Sequence, residues 1–365
     1  MRAAVLYEAN QPLKIEELTQ DPPKAGEVRV KMDVAGVCAS DFHVMKGTAT
    51  LPLPVVLGHE GAGTIAEVGP GVTRVTPGER CILSFVSNCG HCRMCRTGHP
   101  QLCDTNAKTG ARQYDGTVRL HRGETDVHQM AKLGVFAESI VAPQQACHPI
   151  PDSVPMHVAA LIGCCVTTGV GAVVNCPGAR PGATVAVFGC GGVGLNAIQG
   201  AKLMNASRII AVDIYDHKLE FTYRFGATDV VNARETDPVE AIRELTGGGV
   251  DLAFDTFGSA LTTANAVNAL GKGGTAVLVG LGATGETAPI DMVDMVRNQK
   301  SLVGSYYGSA SPHETFDTLV DFYLKGSLDI EGLIARTYSL DQINEGFDAL
   351  GRGEDGRGII RFEKG

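Results

Sequence analysis

The chain contains no tryptophan, and aromatic residues make up only 5% of its 365 positions. It also has no surplus of positive charge: 31 Lys and Arg stand against 40 Asp and Glu, a formal net charge of −9. Such a surface repels a polyanion over most of its area, and no basic stripe interleaved with aromatics offsets it. Nucleic acid is therefore not an expected partner. The opening residues, Met1 to Glu17, hold no apolar core of a secretory signal, so secretion is not expected. Long apolar runs are scarce as well. One stretch, His157 to Cys176, reads nearly apolar over a membrane-length window, but His157, Thr167, Thr168, Asn175 and several glycines interrupt it. A buried core helix is expected there, and no membrane partner.

What is present is length, glycine and cysteine. A chain of 365 residues exceeds the roughly 250–300 residues one core usually organises, so two domains are expected. Hydrophobic residues make up 44%, ample for two cores, and 46 glycines suit an α/β protein with many tight turns. The 11 cysteines are odd in number and four of them cluster. In an acidic chain expected in the cytoplasm, clustered cysteines point to metal or catalysis rather than disulfides.

The sequence changes character along its length. Up to about residue 165 it is rich in Gly, Pro, Val and turn signals, and Val28–Val34 and Gly63–Val68 alternate as strands do. This part reads as a β-rich domain. From about residue 180, apolar strands are expected at Thr184–Phe188, Arg208–Asp213, Asp229–Val231, Asp251–Asp255, Thr275–Val279 and Ser301–Ser305. Helix-length segments such as Val193–Met204 and Pro238–Leu245 lie between them, the pattern of a doubly wound parallel sheet. Beyond Ser311, amphipathic pieces (Thr315–Tyr323, Leu340–Leu350) precede a last strand, Gly358–Phe362, that periodicity assigns to neither domain.

Strand Thr184–Phe188 runs into Gly189-Cys190-Gly191-Gly192-Val193-Gly194, a G-x-G-x-x-G turn opening a helix. Gly189 permits the tight turn, Gly191 lets a pyrophosphate approach, and Gly194 lets helix and strand pack closely. Gly192 and Val193 start the helix, whose free N–H groups face the anion. Asp213 ends the next strand, nineteen residues past Gly194. A carboxylate there accepts from ribose hydroxyls and repels a 2′-phosphate, which favours NAD over NADP. The plainer reading is a glycine-rich turn with a downstream helix-capping Asp.

Cys89, Cys92, Cys95 and Cys103 are spaced C-x2-C-x2-C-x7-C, a set that can close a tetrahedral structural zinc site. An iron–sulfur cluster is the competing reading, but the bacterial run ends C-x3-C-P, and here the last gap is seven with no proline after it. His91 and His99 lie in the same loop as further conceivable ligands. Cys38, His59 and Cys164 are scattered, and singly each reads as a core residue.

Taken together, these motifs resemble the zinc-containing alcohol dehydrogenases of the medium-chain dehydrogenase/reductase superfamily, over Met1 to Phe362. The resemblance rests on C-x-S-D-x-H at Cys38–His43, G-H-E-G-x-G at Gly58–Gly63 and the four-cysteine lobe. It continues through Leu161-Ile162-Gly163-Cys164, Thr167-Thr168-Gly169, the glycine motif and Asn344-Glu345-Gly346-Phe347. It implies a GroES-like catalytic domain over 1–165 and 306–365, with the structural zinc lobe at 89–103, and a Rossmann coenzyme domain over 166–305. Two zinc ions and NAD are implied. Cys38, His59 and Cys164 would hold the catalytic zinc, in the Cys₂His arrangement for which alcohol dehydrogenase is the standard example. Ser40 would touch the substrate oxygen and His43 would pass the proton out. Asp41 would orient His59. Glu60 would stand behind the zinc, or form a simple structural ion pair.

The resemblance also places Lys218 near the adenosine ribose and Arg357 at the pyrophosphate, the alternative for Arg357 being an exposed charge. Val279 and Leu281 fall to the coenzyme, and Phe85, Phe136, Thr168 and Tyr306 to the substrate pocket. The implied activity is hydride transfer between small alcohols or aldehydes and NAD. Two alternatives are oxidation of an S-hydroxymethyl thiol and a non-catalytic zinc or redox-sensing protein. Two departures bear on this. Ala39 follows Cys38 where many relatives carry a basic residue. Ala107 stands where enzymes of glutathione–formaldehyde adducts carry arginine, although Lys108 follows. The long segment 104–135 resembles the dimeric branch, so a homodimer is expected.

Overall fold

The computed structural model describes residues 1–354 and 356–363. The chain divides into two units: Met1–Cys164 with Ser311–Gly326 and Ile330–Gly365, and Cys165–Ala310 with Ser327–Asp329.

In the first unit, β-branched and small apolar residues alternate along Glu27–Gly36, and its inward positions Val28, Val30, Met32 and Val34 are buried. This strand is the spine of a seven-stranded sheet. Gly61–Val68 and Arg357–Arg361 flank it antiparallel, and Ser139–Pro143 also pairs with it. The last strand, unassigned by periodicity, thus closes the first unit's sheet. A second, six-stranded sheet begins with Arg2–Leu6 and Lys14–Glu17. One apolar cluster fills the space beside both sheets, from Val5 and Leu57 to Phe136, Phe347 and Ile360.

In the second unit six strands run parallel in the order Asp229–Asn232, Arg208–Asp213, Thr184–Phe188, Val250–Asp255, Leu270–Leu278, Ser301–Gly304. Numbered along the chain this is 3-2-1-4-5-6, the doubly wound nucleotide-binding order. The central strands carry unbroken buried apolar runs, Val185–Phe188 and Leu252–Phe254, rather than an alternation, as expected of a parallel sheet covered on both faces. The α/β architecture expected from the sequence is therefore present.

The apolar stretch is one helical rod, Met156–Val174, whose most apolar 18-residue window has mean hydropathy 1.9 and is 83% buried inside the protein. It is not a uniform helix. Met156–Leu161 and Thr167–Val174 are α-helical, and Ile162–Val166 between them is a π turn. Periodicity gave no sign of that turn. The Leu340–Leu350 piece also differs from a single helix: Leu340–Gln342 is a 3-10 turn capped by Ser339, and the α-helix runs Ile343–Gly351.

Candidate active site

The strand Glu27–Gly36 ends beside Cys38, which caps the short helix Ala39–Met45 with extended backbone. That helix turns Asp41 inward, where it is fully buried. Gly58 adopts φ +97°, a left-handed conformation that side chains resist, and presents its N–H to Asp41 Oδ1 at 2.9 Å. The same oxygen lies 3.1 Å from His59 Nδ1. An ionised carboxylate only accepts, so Nδ1 carries a proton, and Nε2 is the nitrogen that can face a metal. Cys164 Sγ sits 3.3 Å from that Nε2. Its backbone belongs to the π turn, a local widening that often marks functional positions. Gly163 makes the approach possible, since a Cβ there would lie 2.8 Å from the Leu83 carbonyl oxygen.

The potential ligand atoms of Cys38, His59 and Cys164 lie within 4.8 Å of one another, and all three residues are buried. Zinc bonds of about 2.3 Å to sulfur and 2.0 Å to nitrogen separate tetrahedral S and N donors by about 3.5 Å, so the set fits zinc. A hydrogen bond from Cys164 holds the Cys38 thiol well below its ordinary value against the opposing effect of burial, with His59 and Arg357 adding to the fall. Burial pushes the Asp41 carboxyl up, and His59 opposes that rise.

Glu60 and Arg357 prove to be partners, 297 residues apart in sequence, which the sequence did not reveal. Arg357 Nη2 donates to Glu60 Oε1 at 2.7 Å, with side chains 5% and 0% exposed. Gly36 makes room for this carboxylate, because a Cβ there would stand 2.0 Å from Glu60 Oε1. His43 Nδ1 lies 3.1 Å from Thr48 Oγ1, a companion the sequence reading did not name. Ser40 is half-buried. Phe85 sets its ring edge-on to His59, centroids 5.4 Å apart at 85°. Phe136 is fully buried: its ring carbon lies against Gly58, and its edge packs on Phe347 at 5.7 Å.

The four lobe cysteines form a second cluster of the same tightness. Cys92 Sγ lies 3.5 Å from Cys95 Sγ and 3.9 Å from Cys103 Sγ, close to the roughly 3.8 Å edge of a tetrahedral zinc tetrathiolate. Burial raises the Cys89 thiol, but the Thr105 hydroxyl and the His91 and Cys92 backbone N–H groups outweigh it and bring it down to about 6. His91 turns its Nδ1 to the Cys89 carbonyl oxygen, and His99 is exposed, so neither joins the sulfur cluster. Lys132 carries no motif or spacing that marks it in the sequence. Fully buried, it donates to Asn106 O, Asn106 Oδ1 and Gly110 O at 3.0–3.1 Å and so ties down the helix after the lobe.

In the second unit Gly189 has φ +91°, and a Cβ on Gly194 would fall 1.9 Å from Gly189 O. Nothing lies within 4 Å of the place a Gly191 Cβ would take, which leaves an open cradle in front of the helix Gly192–Leu203. No side chain caps that helix, so its first N–H groups are available to a pyrophosphate. The loop therefore fits a dinucleotide. Thr256 secures it by donating to Phe188 O and Gly189 O, another role invisible in sequence. Asp213 Oδ2 accepts from Cys190 N–H at 2.8 Å, and Oδ1 accepts from Ile214 and Tyr215 N–H. Lys218 Nζ stands 5.3 Å over the Tyr215 ring. Val279 follows the strand Leu270–Leu278 and is half-buried, as is Thr168, whereas Leu281 and Tyr306 are exposed.

Residues 24–152 match the alcohol dehydrogenase GroES-like domain, and residues 192–325 match the zinc-binding dehydrogenase domain. The chain is 40% identical to an NDMA-dependent alcohol dehydrogenase of Amycolatopsis methanolica, over 98% of each protein. It is 38% identical to an S-(hydroxymethyl)glutathione dehydrogenase of Saccharomyces cerevisiae, over 99% of this chain and 96% of that protein. Among solved structures, a benzyl alcohol dehydrogenase from Acinetobacter calcoaceticus shares its fold with a TM-score of 0.94 and 33% identity, over 99% of both chains. The chain belongs to the zinc-dependent alcohol dehydrogenases of the medium-chain dehydrogenase/reductase superfamily.

Proposed function

We propose that the protein is an NAD-linked zinc alcohol dehydrogenase, converting an alcohol and NAD to an aldehyde or ketone, NADH and a proton. The observation that carries this reading is the convergence of Cys38, His59 and Cys164 on one buried point, with Asp41 fixing the imidazole. Cys38, His59 and Cys164 would hold the catalytic zinc, and Cys89, Cys92, Cys95 and Cys103 a structural one. Zinc supplies the Lewis acidity that makes an alcohol hydroxyl acidic near neutral pH, and NAD supplies the hydride acceptor.

The chain's own residues do the rest. Asp41 holds the proton on His59 Nδ1 and keeps Nε2 for the metal. Ser40, two residues after Cys38, would touch the substrate oxygen and accept its proton while releasing its own, and His43, bonded to Thr48, would pass that proton out to water. The buried Glu60–Arg357 pair fixes the backbone beneath the ligands. In the second unit the glycine loop and free helix N-terminus receive the pyrophosphate, and Asp213 and Lys218 the adenosine ribose. The enzyme is soluble and cytoplasmic in this reading, with its apolar rod spent on packing.

The edge of the parallel sheet supports the reading of a homodimer. Ser301–Gly304 is its terminal strand. The neighbouring helix Met292–Arg297 leaves Met292 and Val296 each 80% exposed. Exposed edges and apolar clusters of this kind are usually covered by a partner.

A second reading, oxidation of an S-hydroxymethyl thiol, is supported by the yeast relative and by the hollow after the lobe, where Lys108 and Arg112 accompany Tyr114. Elemental analysis together with a substrate panel tests both. We expect two zinc ions per chain and NAD reduction with simple or aromatic alcohols. One zinc with full activity contradicts the two-site assignment, and activity only with formaldehyde plus a thiol favours the second reading.

A further inference from the structure

Asp213 is not the only charge at the rim of the glycine loop. Strand Arg208–Asp213 pairs in parallel with Asp229–Asn232, placing Asp213 opposite Asn232, and Ala233 N–H donates to Asp213 O at 2.9 Å. Arg234 is the next residue, so strand register itself delivers a guanidinium to the carboxyl ends of both strands. That is where doubly wound sheets bind nucleotides. The Arg234 guanidinium carbon lies 4.8 Å from the Tyr215 ring centroid, and Lys218 Nζ lies 5.3 Å from the same centroid. Tyr215 is in turn anchored by its own N–H on Asp213 Oδ1. Two cations are thus carried on one aromatic ring, two residues from the carboxylate that receives the adenosine ribose.

A carboxylate in this place normally excludes a 2′-phosphate, and a nearby arginine normally accommodates one. Here both devices stand together. The carboxylate is already engaged by three backbone N–H groups, from Cys190, Ile214 and Tyr215, which face part of its charge inward. Asp216, at the start of the following helix, is engaged by Asn232 Nδ2 at 2.6 Å. Arg234 is exposed, and its planar fork matches a phosphate monoester.

We propose that Arg234, carried on Tyr215 beside Asp213, is a specificity-determining residue that lets the adenosine site accept a 2′-phosphate, so that NADP serves as a second coenzyme behind NAD. The inference rests on the coenzyme reading of the glycine loop. Calorimetric titration of the zinc-loaded, full-length protein with adenosine 5′-monophosphate and with adenosine 2′,5′-bisphosphate separates the two. Both should bind the wild type. Arg234→Ala should weaken the bisphosphate by about ten- to a hundredfold, the size of one charge-assisted bond, while leaving the monophosphate within about twofold. Arg234→Lys should restore part of the loss, and the NADP-to-NAD ratio of kcat/KM should fall in step. Equal weakening of both ligands, or no weakening of either, overturns the role of Arg234. A wild type that binds the monophosphate and not the bisphosphate overturns it as well. A wild type that binds neither overturns the coenzyme reading beneath it.

Discussion

Asp41 shows how one side chain orders the Cys38–His59–Cys164 cluster without belonging to it. Its Oδ1 gathers Gly58 N–H and His59 Nδ1, and both contacts disappear with the carboxylate. Asp41→Ala should therefore lower zinc affinity at the buried cluster by about ten- to a hundredfold, as loss of such an outer partner usually does. Competition with a chromophoric chelator measures it, and unchanged affinity would show that His59 is held by other means. The motif C-x-S-D-x-H made Asp41 visible in the sequence because it lies three residues from Cys38. The Glu60–Arg357 pair was invisible as a pair, since nothing local connects residues 297 apart. Gly36 was equally silent: its importance lies in the 2.0 Å that a Cβ would leave to Glu60 Oε1.

Short elements divide in the same way between the legible and the hidden. The lobe was legible because four thiols within one loop announce their geometry through spacing alone. Its tether was not, because Lys132 reaches Asn106 and Gly110 only after the chain has doubled back. The π turn at Ile162–Val166 was hidden too, since one extra residue in a helical turn leaves the apolar pattern intact.

The two cysteine clusters should respond differently to substitution. Cys95→Ala breaks the four-sulfur cluster; a structural metal held there would contribute folding energy, so the substitution should lower Tm markedly. Cys164→Ala should lose the buried zinc and activity while keeping most of the thermal stability. Differential scanning calorimetry beside metal analysis distinguishes them, and the reverse pattern contradicts the assignment.

The returning helix Pro312–Leu324 carries a titration of its own. Burial, with Arg74 and His148, lowers His313 to about 3, while its Nε2 donates to Gln145 O at 3.0 Å and its Nδ1 faces His148. A histidine depressed in the folded state binds more protons unfolded, so stability is lost as pH falls below the unfolded value of about 6.5. His313→Gln keeps a donor toward Gln145 and removes the titration. Its Tm should fall less steeply than that of the wild type between about pH 6.5 and 4. Parallel Tm–pH curves would mean that His313 titrates alike in both states.

For the whole molecule, the doubly wound parallel sheet and the β-rich first unit were readable from periodicity and turn residues, whereas the strand order 3-2-1-4-5-6 emerged only from the strand pairing. Periodicity alone did not place the last strand, Arg357–Arg361, because a short apolar strand suits either sheet until its register is known; only the family resemblance put it with the first domain, where it pairs. Assembly offers one test at this scale. Multi-angle light scattering should give about twice the 38.2 kDa chain mass, and Met292→Asp with Val296→Asp should reduce it toward one chain. A monomeric wild type would remove the proposed edge-to-edge contact.

The central claim, hydride transfer governed by the Cys38–His59–Cys164 cluster, is tested most directly by a single turnover with carbinol-deuterated alcohols, followed by mass analysis of the coenzyme. The measurement reads the chemical step whatever limits coenzyme release. The account predicts deuterium on the nicotinamide in the zinc-loaded wild type and none in Cys164→Ala. Label transferred equally well by Cys164→Ala, or by neither protein with any alcohol, would contradict it.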